Sequence, residues 1–339
     1  MLIALGLLVI FLCSWAMTWE LRRYALLHNV LDVPNQRSSH QVPTPRGGGM
    51  AIVVSCSLTL MVLVQAGWLA SNHLYALLGS GVLVALVGFL DDHRPMPASW
   101  RLLVHFLAAL WGLFWLGGMP ELLGSNIPLG WLWNLLGLFY LVWLLNLYNF
   151  MDGIDGIAGV EAICASLGGA LLYFFIGRSE MALLPAAIAM ASAGFLFWNF
   201  PPARIFMGDA GSGYLGMLLG LLSLQAAWVA SDLFWAWLIL LGVFVVDASV
   251  TLLRRLLRGE RVAQAHRSHA YQRASRRLGR HLPVTVAVAV INLCWLLPLA
   301  LWGASGAGLL ALLLAYAPLL LLAFWCGAGL VDEPDAAVN

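Results

Sequence analysis

Apolar runs long enough to cross a bilayer recur along almost the whole of this 339-residue chain. They extend approximately over 2–19, 48–66, 73–90, 99–117, 129–148, 157–176, 182–199, 212–230, 233–253, 283–302 and 306–327. With 62% hydrophobic and 10% charged residues, the chain has too little polar surface to cover such runs in water. A run of about twenty apolar residues satisfies its own backbone in hydrocarbon only as a helix. The expected fold class is therefore an all-α polytopic membrane protein of about eleven transmembrane helices. One integral-membrane domain is expected over 1–330, followed by a polar C-terminal tail, 331–339. The five cysteines all lie within apolar runs, odd in number and without ligand spacing, and read as packing residues.

The 17 positive residues are all arginine. With the N-terminus outside, sixteen fall on inner loops or inner helix ends and only Arg178 lies outside, as the positive-inside rule requires. No basic residue precedes the first run, while Arg22 and Arg23 follow it, the reverse of a secretory signal peptide. The expectation is an uncleaved first span, an N-terminus outside and a C-terminus in the cytoplasm. The same map puts Asp32, Asp91, Asp92, Asp152, Asp155 and Asp209 on the inner side. Glu121, Glu180 and Asp232 fall in short outer turns and read as solvated residues.

Asn149-Phe150-Met151-Asp152-Gly153-Ile154-Asp155-Gly156-Ile157-Ala158-Gly159 joins two apolar runs. Intramembrane acids cost several kcal/mol and usually face an aqueous cavity. If the chain is helical from about 152, Asp152 and Asp155 share a face; the alternative is a polar helix junction capped by Asp152. Asp91-Asp92-His93-Arg94 follows the third run, where adjacent carboxylates call for a cation or for an arginine partner. In Phe206-Met207-Gly208-Asp209-Ala210-Gly211-Ser212, Asp209 and Ser212 bracket a helix start, suited to an anion or a metal-bound phosphate, unless Asp209 is only an N-cap. The first inner loop, from Leu31 through His40 to Gly47-Gly48-Gly49, is turn-rich; its glycines can turn N–H groups to an anion or form a plain connection. His266-Arg267-Ser268-His269 lies among nine arginines, which suits an anionic diphosphate better than zinc; the rival is a basic patch for acidic lipids. Acids holding Mg²⁺, and Mg²⁺ with basic groups holding phosphates, account for these inner-face motifs together. Such a site takes a water-soluble donor from the cytoplasm and a lipid acceptor from the membrane.

The strings GFLDDHRP, NFMDGIDGIAG, FPPARIFMGDAGSGYLG and HRSH, in this order, resemble the polyprenyl-phosphate N-acetylhexosamine-1-phosphate transferases, bacterial glycosyltransferase group 4. The resemblance spans about 20–325. It implies transfer of an N-acetylhexosamine-1-phosphate from a UDP-sugar to undecaprenyl phosphate with release of UMP, at the cytoplasmic face of a bacterial inner membrane. It implies Asp209 as the Mg²⁺ ligand (Mn²⁺ can substitute), and Asp91 and Asp92 as groups that bind or deprotonate the lipid phosphate and contribute to the metal site. Asn149, Asp152 and Asp155 would line the nucleotide pocket and metal site. Asn199, Arg204, Phe206 and Gly208 would lie near the nucleotide, and His266 and His269 on the diphosphate or sugar. The enzyme that makes lipid I carries adjacent histidines and a first-loop lysine; here the histidines are spaced and Arg46 stands in for the lysine. Those departures, with an eleventh run after the histidine loop, look more like the enzymes that initiate O-antigen and related surface polysaccharides. Lipid I synthesis is the alternative. Expected partners are the UDP-sugar, undecaprenyl phosphate and membrane lipids, with no nucleic acid, and with a homodimer among the assemblies expected. Asp247, inside the ninth run, has Thr251 at i+4 as a packing partner and no assigned role.

An ion-coupled transporter is the rival from another class, but transporter sites lie near the midplane and these acids gather at one face. The CDP-alcohol phosphotransferases, also aspartate- and metal-dependent, need a D-G-x-x-A-R continuation that Asp152-Gly153-Ile154-Asp155-Gly156 lacks.

Overall fold

A computed structural model describes residues 1–34, 42–94, 96–122, 130–260 and 266–330. Asn35–His40 of the first inner loop, Pro95, Arg261 and the polar tail lie outside the described residues. Among the described residues the regular structure is helical, except for one antiparallel ribbon, β1 (Leu31–Asp32) with β2 (Thr44–Pro45). The helices are α1 (Leu2–Leu27), α2 (Met50–Gln65), α3 (Ser71–His93), α4 (Ala98–Leu116), α5 (Gly130–Met151), α6 (Ile157–Phe175), α7 (Leu183–Asn199) and α8 (Asp209–Val229). They continue with α9 (Ser231–Leu240), α10 (Gly242–Leu257), α11 (Ala270–Leu278), α12 (Leu282–Ile291), α13 (Leu297–Trp302) and α14 (Gly308–Cys326). Among the described residues, eight helical segments are long and apolar enough to cross a membrane, or nine if the bent α9–α10 pair forms one span.

The helix at the centre is α8. Its apolar window is 89% buried, against 11% for α1, which lies at the periphery. A helix apolar on all sides belongs inside a bundle, and α8 is rich in glycine where neighbours cross. A Cβ on Gly216 would lie 2.6 Å from Leu145 Cα, so α5 can pass this close only because Gly216 has none. The peripheral α1 is fastened to α7, where Ser14 Oγ donates to the Ala191 carbonyl at 2.6 Å and Trp198 Nε1 donates to the Trp15 carbonyl at 3.1 Å.

Three features depart from a row of straight spans. First, α3 extends to His93, so Asp91 and Asp92 occupy its last turn instead of following it. Second, the ninth run is broken at Leu241, and α9 and α10 meet at 74°. Third, α12 passes through a π turn, Asn292–Leu296, into α13. That turn brings Asn292 Nδ2 to 2.6 Å from Oε2 of the fully buried Glu161 on α6. A π turn often marks a strained or functional position, and here it matches a polar pair inside the bundle. The chain leaves helical geometry again at Ser305 and Gly306 (φ 104°) before α14.

Candidate active site

Backbone pairing builds the site before any side chain enters it. The N–H of Phe206 donates to Pro45 O at 2.8 Å, Gly48 N–H to Phe206 O at 2.9 Å and Gly49 N–H to Met207 O at 2.9 Å. The loop before α2 and the loop before α8 are thus laced edge to edge. They touch closely enough that a Cβ on Gly49 would sit 2.5 Å from Gly211 Cα. This corrects one expectation: the N–H groups of Gly48 and Gly49 are engaged by backbone carbonyls and do not turn to an anion.

On the other side, Gly88 lets α3 reach the start of α8; a Cβ there would lie 2.4 Å from the Ala210 nitrogen. One turn later, Asp92 caps α8 from this separate helix. Its Oδ1 accepts from Asp209 N–H at 3.1 Å and its Oδ2 from Ala210 N–H at 3.4 Å, while Arg46 Nη2 lies 2.5 Å from Oδ1. A helix N-terminus carries unsatisfied N–H groups and partial positive charge, so a buried carboxylate is stabilised there. Asp209 is therefore the first residue of α8 and not its cap; Gly208 takes the cap position at φ 80°.

Freed from capping, Asp209 faces basic groups. Its Oδ2 lies 3.2 Å from Arg101 Nη1 and its Oδ1 3.8 Å from Arg46 Nη2. Arg101 also holds Asp91 Oδ2 at 2.6 Å, and Asp91 Oδ1 accepts from Met96 N–H at 2.6 Å. Asn149 enters from α5, donating to Ser212 Oγ at 2.9 Å. The side chain of Asp152, just beyond α5, has no hydrogen-bond or ion-pair partner among the described residues, while its N–H donates to Asn149 O at 3.2 Å. Burial, then the charges of Asp209 and Asp92, push its pKa up to about 7. Burial opposes the charge of Arg46, but Asp92, Asp209 and Asp32 outweigh it and hold the guanidinium protonated. A cleft of about 150 Å³ between α3, α4, α5 and α8 opens from this cluster. Arg101, Asn149 and Asp209 form its polar end, and Leu102 and Leu145 line its apolar part.

Asp155 belongs to a different contact set. The residues after Met151 are a turn and not a helix, because Gly156 takes φ 77° before α6 begins, so Asp152 and Asp155 do not share a helical face. Asp155 Oδ2 accepts from Ala203 N–H at 3.0 Å, and Oδ1 lies 3.1 Å from His281 Nδ1. Asn199 ties the same turn to the loop before α8: its Oδ1 accepts from Gly156 N–H at 3.0 Å and its Nδ2 donates to Ile205 O at 2.9 Å. These two residues shape the junction. Arg204 stacks over Trp198, 5.7 Å from the ring centroid, and Phe206 contributes its backbone to the lacing.

The histidine loop is brought in by Tyr271, whose hydroxyl donates to Phe150 O at 2.9 Å. A Cβ on Gly153 would lie 2.2 Å from that hydroxyl, so the glycine of the Asp-Gly pair admits a side chain of the protein itself. Asp247 repeats the device of Asp92: its carboxylate accepts from Ala270 N–H at 2.8 Å and Tyr271 N–H at 3.0 Å, capping α11 from α10. Thr251 donates to it at 3.1 Å, and His269 Nδ1 lies 3.4 Å away. The rings of His266 and His269 stack at 4.9 Å. Burial, then His269 and Arg255, hold His266 neutral, with a pKa of about 3. Ser268 Oγ lies 3.0 Å from its Nδ1, and Nδ1 accepts from the Ser268 N–H at 3.4 Å, which leaves the ring proton on Nε2. Arg101, Tyr271 and the role of Asp247 are absent from the motif reading. The signal available for Arg101 was its place in the first turn of α4, after a short loop from Asp91.

Charge and donor type test whether a divalent cation suits the cluster. Asp91, Asp92 and Asp209 pair with Arg46 and Arg101, and Asp152 lies beside them, so the carboxylates outnumber the guanidinium groups and the cluster carries an excess of negative charge that grows as Asp152 ionises. Among the described residues no three His, Cys, Asp or Glu side chains already surround one point. Both oxygens of Asp91 and of Asp92 are engaged, the Asp152 carboxylate has no such partner among the described residues, and Asp209 is held by side chains alone, the arginines and Asn149 among them. Hard, partly exposed oxygen donors with excess negative charge fit Mg²⁺ or Mn²⁺.

The chain matches the family model of glycosyl transferase family 4 over residues 73–227, which include α3, α4, α5, α6, α7 and most of α8. It is 27% identical over 277 residues to a protein of Bacillus subtilis strain 168 described as a probable undecaprenyl-phosphate N-acetylglucosaminyl 1-phosphate transferase, covering 80% of this chain and 76% of that one. It is 30% identical over 198 residues to the phospho-N-acetylmuramoyl-pentapeptide-transferase of Moorella thermoacetica, covering 54% and 61%. The enzyme of that name from Bacillus pumilus is 27% identical over 267 residues, covering 74% and 81%.

Proposed function

We propose that this chain, which matches the model of glycosyl transferase family 4 over residues 73–227 and is similar to undecaprenyl-phosphate sugar-1-phosphate transferases, moves an N-acetylhexosamine-1-phosphate from a UDP-sugar to undecaprenyl phosphate and releases UMP. The observation that carries this reading is a cleft whose polar end is formed by Asp209, Arg101 and Asn149, with Arg46 on the far side of Asp209, and whose wall continues through Leu102, Leu145 and Val84. Such a cleft suits a phosphate on an isoprenoid tail.

In this mechanism a lipid phosphate oxygen attacks the β-phosphorus of the UDP-sugar, the bond to the bridging oxygen breaks, and UMP leaves. A phosphomonoester has a second pKa near ~6, so the nucleophile is largely dianionic at neutral pH and needs no strong base. Arg101, held by Asp91, and Arg46, held by Asp92, bind phosphate oxygens and orient the acceptor. Neutral His266 donates from Nε2 to the diphosphate. Asp209 and Asp152 would hold Mg²⁺, which when bound offsets negative charge on the diphosphate. Asp155 and Asn199 keep the junction in shape.

The test is UMP release by purified protein with undecaprenyl phosphate and a panel of donors: UDP-N-acetylglucosamine, its 6-deoxy relatives and UDP-N-acetylmuramoyl-pentapeptide. Release with an N-acetylhexosamine donor is expected; no release with any donor overturns the reading. Preference for the pentapeptide donor would favour the activity named for the Moorella and Bacillus pumilus relatives. The spaced histidines and the helical hairpin after α11 favour initiation of a surface polysaccharide such as O-antigen.

We further propose eleven passes in a bacterial inner membrane, with α2, the α9–α10 pair, α12–α13 and α14 each counted as one, the N-terminus outside and the site cytoplasmic. The motivation is the arginine distribution. In a cysteine-free background, a cysteine at position 178 should react with an impermeant maleimide on intact cells, and one at 273 only after permeabilisation. The reverse pattern would place the site away from cytoplasmic UDP-sugars.

A further inference from the structure

The segment that follows α14 ends in a backbone contact with the histidine loop. A helix C-terminus leaves its last carbonyls without partners. Here arginines of α10 and α11 take them. Arg273 Nε donates to Cys326 O at 3.2 Å and its Nη1 to Leu330 O at 3.2 Å; Arg254 Nη1 donates to Ala328 O at 2.8 Å, and Arg258 Nη2 to Gly329 O. The Gly327 carbonyl accepts from Leu330 N–H at 3.0 Å. Every carbonyl from Cys326 to Leu330 is thereby fixed.

What remains to the segment is one N–H that capping does not need. Gly329 donates it to the Ser268 carbonyl at 2.7 Å. Ser268 in turn sets the ring of His266, through Oγ at 3.0 Å from Nδ1. Gly329 is suited to this contact in two ways. Its φ is 73°, in the left-handed region, and a Cβ on it would meet the Thr251 carbonyl oxygen at 2.8 Å. The segment therefore presses against α10 within one turn of Asp247, the residue that caps α11 on the other side of the loop.

We propose that residues 327–330 are a strap that positions the histidine loop, with Gly329 as a positioning residue for His266. Charge-assisted hydrogen bonds from three arginines hold the strap against α10 and α11, and the strap holds the loop. The link to turnover rests on the transferase reading above; the strap itself does not.

Two variants of the full chain in nanodiscs test it. Gly329→Ala strains the contact directly, and Arg254→Gln loosens the strap without touching the loop. Amide exchange over 266–272 should quicken about tenfold in Gly329→Ala and by less in Arg254→Gln, as expected for losing one buried hydrogen bond with strain. Exchange over 208–214 should stay as in wild type, and kcat should fall in step with loop exchange while KM for undecaprenyl phosphate holds. Unchanged exchange over 266–272 in both variants overturns the strap. Quickened exchange with unchanged kcat overturns its positioning role. General quickening across the bundle, together with a lower melting temperature, would make Gly329 a packing residue only and also overturns it. If the wild type releases no UMP, exchange still decides the strap, and the failure belongs to the transferase reading.

Discussion

Asp209→Asn is expected to lower UMP release about a hundred- to thousandfold while leaving thermal stability close to wild type, since one good electrostatic contact to a transition state is worth ~3–4 kcal/mol. The side chain is 28% exposed and held by other side chains, Arg101 and Arg46 among them, and the N-terminus of α8 is capped by Asp92. The substitution therefore removes charge from the cluster without uncapping a helix. The measurement is UMP release at saturating donor across a Mg²⁺ titration. Near-normal turnover with an unchanged Mg²⁺ midpoint would remove Asp209 as a ligand and leave Asp152. The titration also has a pH signature. Burial and neighbouring carboxylates raise the Asp152 pKa to about 7, so below that pH it is mostly protonated and a cation must displace the proton. The wild-type Mg²⁺ midpoint should fall as pH rises from about 6 to 8, as expected for a ligand that titrates there.

Asp92→Ala should act through the fold. The Asp92 side chain is 1% exposed, and its carboxylate holds Arg46 and two backbone N–H groups of α8. Removing one partner of a buried ion pair costs roughly 3–5 kcal/mol, and losing a cap adds about 1 kcal/mol. Thermal stability should drop by several kcal/mol and turnover should disappear with it. Asp92→Asn, which keeps an oxygen for the N–H groups, should recover part of the stability. An Asp92→Ala protein that melts like wild type but is inactive would make Asp92 a chemical group and not an organiser. Asp91→Ala gives the contrast, because Arg101 still has Asp209 and the structural loss should be small.

Most of the helical segments could be read from hydropathy alone, because length and apolarity are local properties. The runs at 157–176 and 182–199 fall within a residue or two of α6 and α7. The break at Leu241 could not be read, since it lies inside an uninterrupted apolar stretch and follows from packing. The motifs marked where acids and histidines gather, yet not which of them do similar work. Asp92 and Asp247 are 155 residues apart and share no surrounding string, but each caps a helix carried elsewhere in the chain. Asp152 and Asp155 are near neighbours in one motif and take different roles. Spacing along the chain reports shared secondary structure only where the backbone is regular, and both lie in the turn between the end of α5 at Met151 and the start of α6 at Ile157.

The cap that Asp92 places on α8 has a consequence for biosynthesis. Asp92 precedes the N–H groups it accepts from by 117 and 118 residues, whereas Arg46 precedes it by only 46. During translation the arginine is made before the aspartate, and both are made long before α8. The acid thus has a counter-ion available as it emerges, before the N–H groups of α8 exist. The cap on α8, and with it the position of Asp209, can be completed only after about a hundred further residues have been made.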